Sequence, residues 1–227
     1  MTDQTVRRIT SWFGIAGFVV FLAAMPLYFL GMESVARLED AGSFATYIVS
    51  THINQLVRSS LADPLIMICF LVFSAGLRHL AIRINPDFSW LATLSFGASI
   101  LLVGIELVGD GLQAGAALDT TVKADPSVVR GLMEASFPFY GAIGLLVSAL
   151  LLGSLGFLIL ATKVLRKWIA CFAFGAAMLC VLMSPSILGG TDLTGFYTAS
   201  GYAPFLGQGA LLIWFLFASV SLLPKRE

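Results

Sequence analysis

The chain has 227 residues, 58% of them hydrophobic and only 11% charged, with a mean hydropathy of +0.93. Soluble domains carry about 25% charged residues, so a soluble domain is excluded, as are disordered, collagen-like and disulfide-scaffold chains. Thirteen basic residues balance thirteen acidic ones to a formal net charge of zero, which leaves no basic surface for nucleic acid.

A helix crossing a bilayer needs about 20 apolar residues. Six stretches meet this length, at 11–31, 64–83, 90–109, 137–162, 168–188 and 203–223. None alternates with period two, which argues against a transmembrane barrel. Backbone groups in hydrocarbon must then be paired within helices. The expected fold is all-α: a polytopic membrane bundle of six transmembrane helices, forming one domain over 1–227.

In chain order, the first stretch follows Arg7 and Arg8 and precedes Ser34-Val35-Ala36, which resembles a signal cleavage site. Its uncharged run from Ser11 to Gly31 exceeds the roughly 7–15 residues of a signal core, so it reads as an uncleaved crossing. Over 41–60, Phe44, Tyr47, Ile48, Thr51 and Gln55 recur at helical spacing. That face suits a short helix capping the bundle better than one lying on the bilayer surface. Asp63 opens the second crossing. Asp125-Pro126 is a helix start, with Asp as N-cap and Pro in the first turn. The fourth helix is expected to begin there and to bend near Pro138.

The basic residues indicate orientation. Nine of the thirteen fall at the end that carries both termini, leaving Arg37, Arg58, Lys123 and Arg130 at the other. Positive charge stays cytoplasmic, so both termini are expected inside, in a bacterial inner membrane. The acids run oppositely, giving +6 inside and −6 outside.

Internal similarity is also legible. Trp12, Trp90 and Trp168 are spaced 78 residues apart, and Phe18, Phe96 and Phe174 each follow six residues later. Gly31-Met32-Glu33, Gly109-Asp110 and Gly190-Thr191-Asp192 close the three outgoing helices. Pro64, Pro138 and Pro204 stand near the start of the returning ones. Three tandem helical hairpins, about 12–83, 90–163 and 168–226, are expected to repeat about an axis along the membrane normal.

Candidate chemistry centres on the third helix. Glu106, Asp110 and Gln113 share one face at i, i+4 and i+7, and carboxylates within a membrane indicate function by default. Glu106 lies about 24 Å beyond Trp90 along a helix rising roughly 1.5 Å per residue, near the outer boundary. A solvated helix end therefore competes with a pocket. Helix-start landmarks put Tyr140 and Gln208 at similar depth, with Asp63 and Glu134 just outside. Glu106, Asp110, Gln113, Tyr140 and Gln208 form the candidate ligand-binding set. An acidic, apolar-walled vestibule of this kind favours a cationic or hydroxylated small molecule, or a lipid headgroup, over an anion.

No metal or cofactor is expected. His52 and His79 belong to opposite ends, and Cys69, Cys171 and Cys180 read as buried free thiols without a C-x-x-C pair. Arg78 is expected to snorkel toward the terminal end. Cys171–Gly175 and Ala149–Gly153 are the preferred small-x-x-x-small contacts.

Asp63, then Arg78 and Arg83 before the Pro86 turn, and the later turn Val164-Leu165-Arg166-Lys167-Trp168-Ile169 give a pattern over most of the chain. It resembles six-helix bacterial integral membrane proteins of the domain-of-unknown-function type. The resemblance implies a membrane bundle and no activity. Three functions are carried forward: binding or passage of a small ligand, including as an accessory subunit; a membrane enzyme using Glu106 or Asp110 as acid–base on a lipid-like substrate; and a structural partner or homo-oligomer associating through helix faces. Membrane lipids are partners in all three.

Overall fold

The structure, a computed structural model, describes residues 2–29, 41–119, 125–190, 195–199 and 201–223. It is all-helical. The helices are α1 (Asp3–Phe29), α2 (Ala41–Val57), α3 (Asp63–Ile84), α4 (Ser89–Asp119), α5 (Pro126–Pro138), α6 (Gly144–Thr162), α7 (Lys167–Met183) and α8 (Tyr202–Leu222). Two π-helical turns join α2 to α3 and α5 to α6: Arg58–Ala62 is continuous, whereas Phe139–Ile143 contains a kink at Gly141 (φ −87°, ψ −112°), three residues beyond Pro138, near which the bend is expected. Six of the resulting rods are long and apolar enough to cross a membrane, and the chain is a multi-pass membrane protein.

Three rods exceed one crossing. Ser50–Ile84, Pro86–Leu118 and Pro126–Thr162 have 35, 33 and 37 residues, or roughly 50 Å at the α-helical rise, against a hydrocarbon core of about 30 Å. Their surplus projects at the end away from Asp3 and Leu222, where α2 packs on α4 and α5. The segment anticipated as a separate cap is thus a continuation of the second spanning rod. Ile48 is fully buried and Gln55 nearly so, in keeping with a capping role. The side chains of Phe44 and Tyr47 lie outside the described residues, as do Gly31-Met32-Glu33 and Thr191-Asp192.

The spanning helices follow chain order around a ring. Helix α1 packs on α3, α3 on α4, α4 on α6, α6 on α7 and α7 on α8, and α8 closes against α1. Small residues set the closest approaches. A side chain at Gly14 would strike the Ser219 hydroxyl, and one at Gly76 would strike Thr10. Ser11 Oγ donates to the Ser219 carbonyl at 2.7 Å across the α1–α8 seam. Phe73 meets the Phe215 ring edge-on at 4.7 Å, while Trp214 donates its indole N–H to the Ile169 carbonyl at 3.1 Å. Large apolar side chains such as Val19, Ile68, Leu101, Phe157 and Met178 are exposed around the outside, a surface that requires lipid.

Some expectations need correction. A Cβ on Gly153 or Gly175 would meet nothing within 4 Å, so neither glycine sets a close helix approach within the chain among the described residues, although Ala149 packs on the core. Helix α6 is apolar on every side, so its sequence carried no phase to show which face is inside. Cys171 is exposed rather than buried, whereas Cys180 is buried and donates Sγ–H to the Gly207 carbonyl at 3.5 Å. The 78-residue landmarks are not equivalent in the helices: α1 begins at Asp3, well before Trp12, whereas Trp90 and Trp168 are the second residues of α4 and α7. Arg78 reaches Thr93 Oγ1 at 3.4 Å and lies over the Phe96 ring at 5.8 Å; these contacts tie its guanidinium to α4.

Candidate functional site

A cavity of about 300 Å³ opens at the end where the long rods project. Its apolar wall includes Phe21, Phe70, Leu102 and Phe137. Its polar wall contains all five candidate residues: Glu106, Asp110, Gln113, Tyr140 and Gln208.

Helix α4 supplies three of them, one above the other on a single face as their spacing requires. They are 6%, 2% and 6% exposed, so Glu106 is not a solvated helix end. The π turn Phe139–Ile143 aims Tyr140 inward, and its hydroxyl donates to Asp110 Oδ1 at 2.6 Å. Gly109 makes room for that ring, since a Cβ there would lie 2.8 Å from Tyr140 Cζ. Gln208, in the second turn of α8, donates Nε2–H to Glu106 Oε1 at 2.9 Å and to the Tyr140 carbonyl at 3.2 Å. The predicted convergence of α4, α8 and the Tyr140 segment is therefore present, with Tyr140 on Asp110 and Gln208 on Glu106. Gly144 completes it: a side chain there would strike the Phe139 carbonyl and crowd both Glu106 Oε1, at 3.2 Å, and Gln208 Nε2, at 3.3 Å.

Three further polar residues line the cavity: Gln55, Arg58 and Asp63. Asp63 was expected just outside the bundle; it is 7% exposed and part of the wall. The first π turn explains the difference. The Asp63 N–H bonds to the Arg58 carbonyl five residues back, and this wider turn changes the phase that an α-helix would give. Arg58 Nε lies 3.8 Å from Asp63 Oδ2, and Asp63 is a charged neighbour of Asp110. The wall is thus three carboxyls with one guanidinium among its described residues, rather than purely acidic. The signal that was available was the charged pair Arg58 and Asp63 flanking Ser59-Ser60-Leu61-Ala62, a five-residue spacing that α-helical phase spreads apart.

No protein-family model, curated protein or solved structure matches the chain.

Glu134 pairs with Arg130 at 2.7 Å on α5 and does not line the cavity. Among the described residues no cluster of His, Cys, Asp and Glu is arranged to hold a metal ion. Helix α5 does begin where its sequence indicated: Asp125 accepts from the Ser127 N–H at 2.9 Å, with Pro126 in the first turn. Chemically, the cavity joins a broad apolar surface to a compact set of hydrogen-bond acceptors. That combination selects an amphipathic guest.

Proposed function

We propose that this membrane protein binds a small amphipathic molecule in the cavity, with a cationic or hydroxylated head among Asp63, Glu106 and Asp110 and an apolar body against Phe21, Phe70 and Phe137. The observation carrying the reading is the burial of those three carboxyls, with one guanidinium, on the polar wall of an open cavity that also has a broad apolar wall. Burying charge is costly unless something offsets it, and a ligand head supplies that offset. The basic asymmetry between the ends supports an orientation with termini cytoplasmic and the cavity facing outward across a bacterial inner membrane. The three-hairpin repeat and the resemblance to six-helix bacterial membrane proteins belong to the same proposal. The acid–base alternative is less well supported, because Asp110 and Glu106 are already engaged by Tyr140 and Gln208.

The test uses purified protein in lipid nanodiscs and three probes with one apolar body: phenethylamine, phenethyl alcohol and phenylacetate. The amine or the alcohol binds and the carboxylate does not. Gly209→Phe, which places a ring in the cavity from a position with open space at Cβ, abolishes that binding. Absence of binding by all three probes, or equal binding to Gly209→Phe, overturns the reading.

A further inference from the structure

We infer that the ligand head is an ammonium carrying N–H donors and that it is taken up in exchange for a proton held by the Asp63–Asp110 carboxyl pair, an inference that rests on reading the cavity as a ligand site.

Two carbonyl oxygens argue for the donors. Oε1 of Gln55 and Oε1 of Gln113 are buried in residues lining the cavity, and neither accepts a hydrogen bond among the described residues. The orientation of the Gln113 amide follows from its neighbour. Ser136 gives its hydroxyl proton to the Met133 carbonyl at 2.7 Å, so toward Gln113 Nε2, at 3.0 Å, it acts as acceptor. Oε1 is the atom left over. A buried acceptor without a donor is an unrecovered desolvation cost, and an incoming N–H removes it. A primary ammonium brings three donors and a positive charge, a hydroxyl brings one donor and no charge, and a quaternary ammonium brings charge without donors.

The second half is charge balance. The groups facing the Asp63–Asp110 pair are Arg58 from the first π turn, Glu106 from α4 and Tyr140 from the second π turn; α8 contributes the neutral Gln208. Full ionisation would set three carboxylates against one guanidinium in a buried wall. Adjacent buried carboxyls avoid this by sharing a proton. On uptake, the carboxyl O–H bond breaks, and its proton leaves to the aqueous phase. The ammonium keeps all its N–H bonds and pairs with the new carboxylate. One positive charge replaces another, so the cavity carries either a proton or an amine at constant net charge.

Calorimetry of phenethylamine binding to the nanodisc protein tests both halves. Linkage makes affinity rise about tenfold per pH unit while one proton is displaced, until the amine itself deprotonates near a lysine-like pKa of about 10.4. Titrations in buffers of different ionisation heat then report the released proton. The trimethylated quaternary analogue binds at least about tenfold more weakly than the amine, the loss expected for hydrogen bonds to a charged group. Asp110→Asn and, separately, Asp63→Asn remove the proton release and flatten the pH slope, with thermal unfolding verifying that each variant is folded. Amine binding that is independent of pH and releases no proton overturns the exchange. Equal binding of the quaternary analogue overturns the donor assignment. If neither amine nor alcohol binds, the ligand-site reading falls, and this inference falls with it.

Discussion

At the scale of single residues, two of the wall's three carboxyls are each held by one neutral donor, and the third, Asp63, lies beside the Arg58 guanidinium. Gln208 holds Glu106 and Tyr140 holds Asp110, which fixes geometry while leaving acceptor capacity toward the cavity. Glu106→Gln keeps shape and hydrogen bonding but removes the charge. The expected outcome is an intact folded yield by size-exclusion chromatography and a loss of at least about tenfold in phenethylamine affinity, the value of a hydrogen bond to a charged partner. Gly109 is the second sensitive position, because a methyl there lies 2.8 Å from Tyr140 Cζ. Gly109→Ala should displace the ring from Asp110 and destabilise the fold by about 1–3 kcal/mol, the usual cost of overpacking. Combined with Tyr140→Phe, its effect should be less than additive, because both remove the same bond; additive losses in thermal unfolding would disconnect Gly109 from the site. Much of this was legible beforehand. Glu106, Asp110 and Gln113 were placed together by helical phase, which is a local property of the sequence. Tyr140 and Gln208 were placed by counting from helix starts, which locates depth on separate helices.

At the scale of elements, the two π turns account for what sequence periodicity missed. A π turn inserts a residue into the helical count, so phase carried through Arg58–Ala62 is wrong on one side of it. Sequence reading accordingly puts Asp63 just outside the bundle, Arg58 only at the outer end and Gln55 on a cap, although all three line the cavity. Deleting Ser60, an exposed member of that turn, should restore α-helical geometry and leave Gln55, Arg58 and Asp63 on the wall, because four α-helical steps of about 100° cover the angle that the wide turn spreads over five residues. The measurable outcome is a protein of unchanged helicity by circular dichroism that still prefers phenethylamine over its quaternary analogue; loss of that preference would show that the wide turn itself shapes the site. Helix lengths were illegible for a different reason. Segments such as 110–119 are too polar or too small-residue-rich to score as membrane crossings, yet they remain helical because α2, α4 and α5 cover one another where they project. The start of α5 was legible because an N-cap is a short-range signal. Asp125→Ala should cost about 1 kcal/mol of local stability, visible as faster amide exchange confined to the first turns of α5.

At the scale of the molecule, the ring of six rods and the charge along it raise the question of which way the protein sits. Positions 78 residues before and after Glu106 are Tyr28 and Ser184, so the 78-residue spacing does not repeat its carboxyl, and the acidic wall is completed instead by Asp63 from the second crossing. The molecule is also asymmetric across the membrane, since the cavity and projecting rods lie at one end and the basic clusters at the other. Moving Lys or Arg across a membrane during insertion is disfavoured, and nine of thirteen basic residues share the end of the termini, so the cavity end should be translocated. The check is labelling of Ser127→Cys, on the exposed first turn of α5, in a background where Cys69, Cys171 and Cys180 are alanine. In intact bacterial cells a membrane-impermeant maleimide should modify this cysteine, while a cysteine at Arg166, on the turn before α7, should react only after the membrane is opened. The reverse pattern would place the cavity in the cytoplasm and overturn the outward-facing vestibule. The exchange of a proton for an ammonium would then draw on the cytoplasmic pool, and binding at the pH of that compartment would become the relevant measurement.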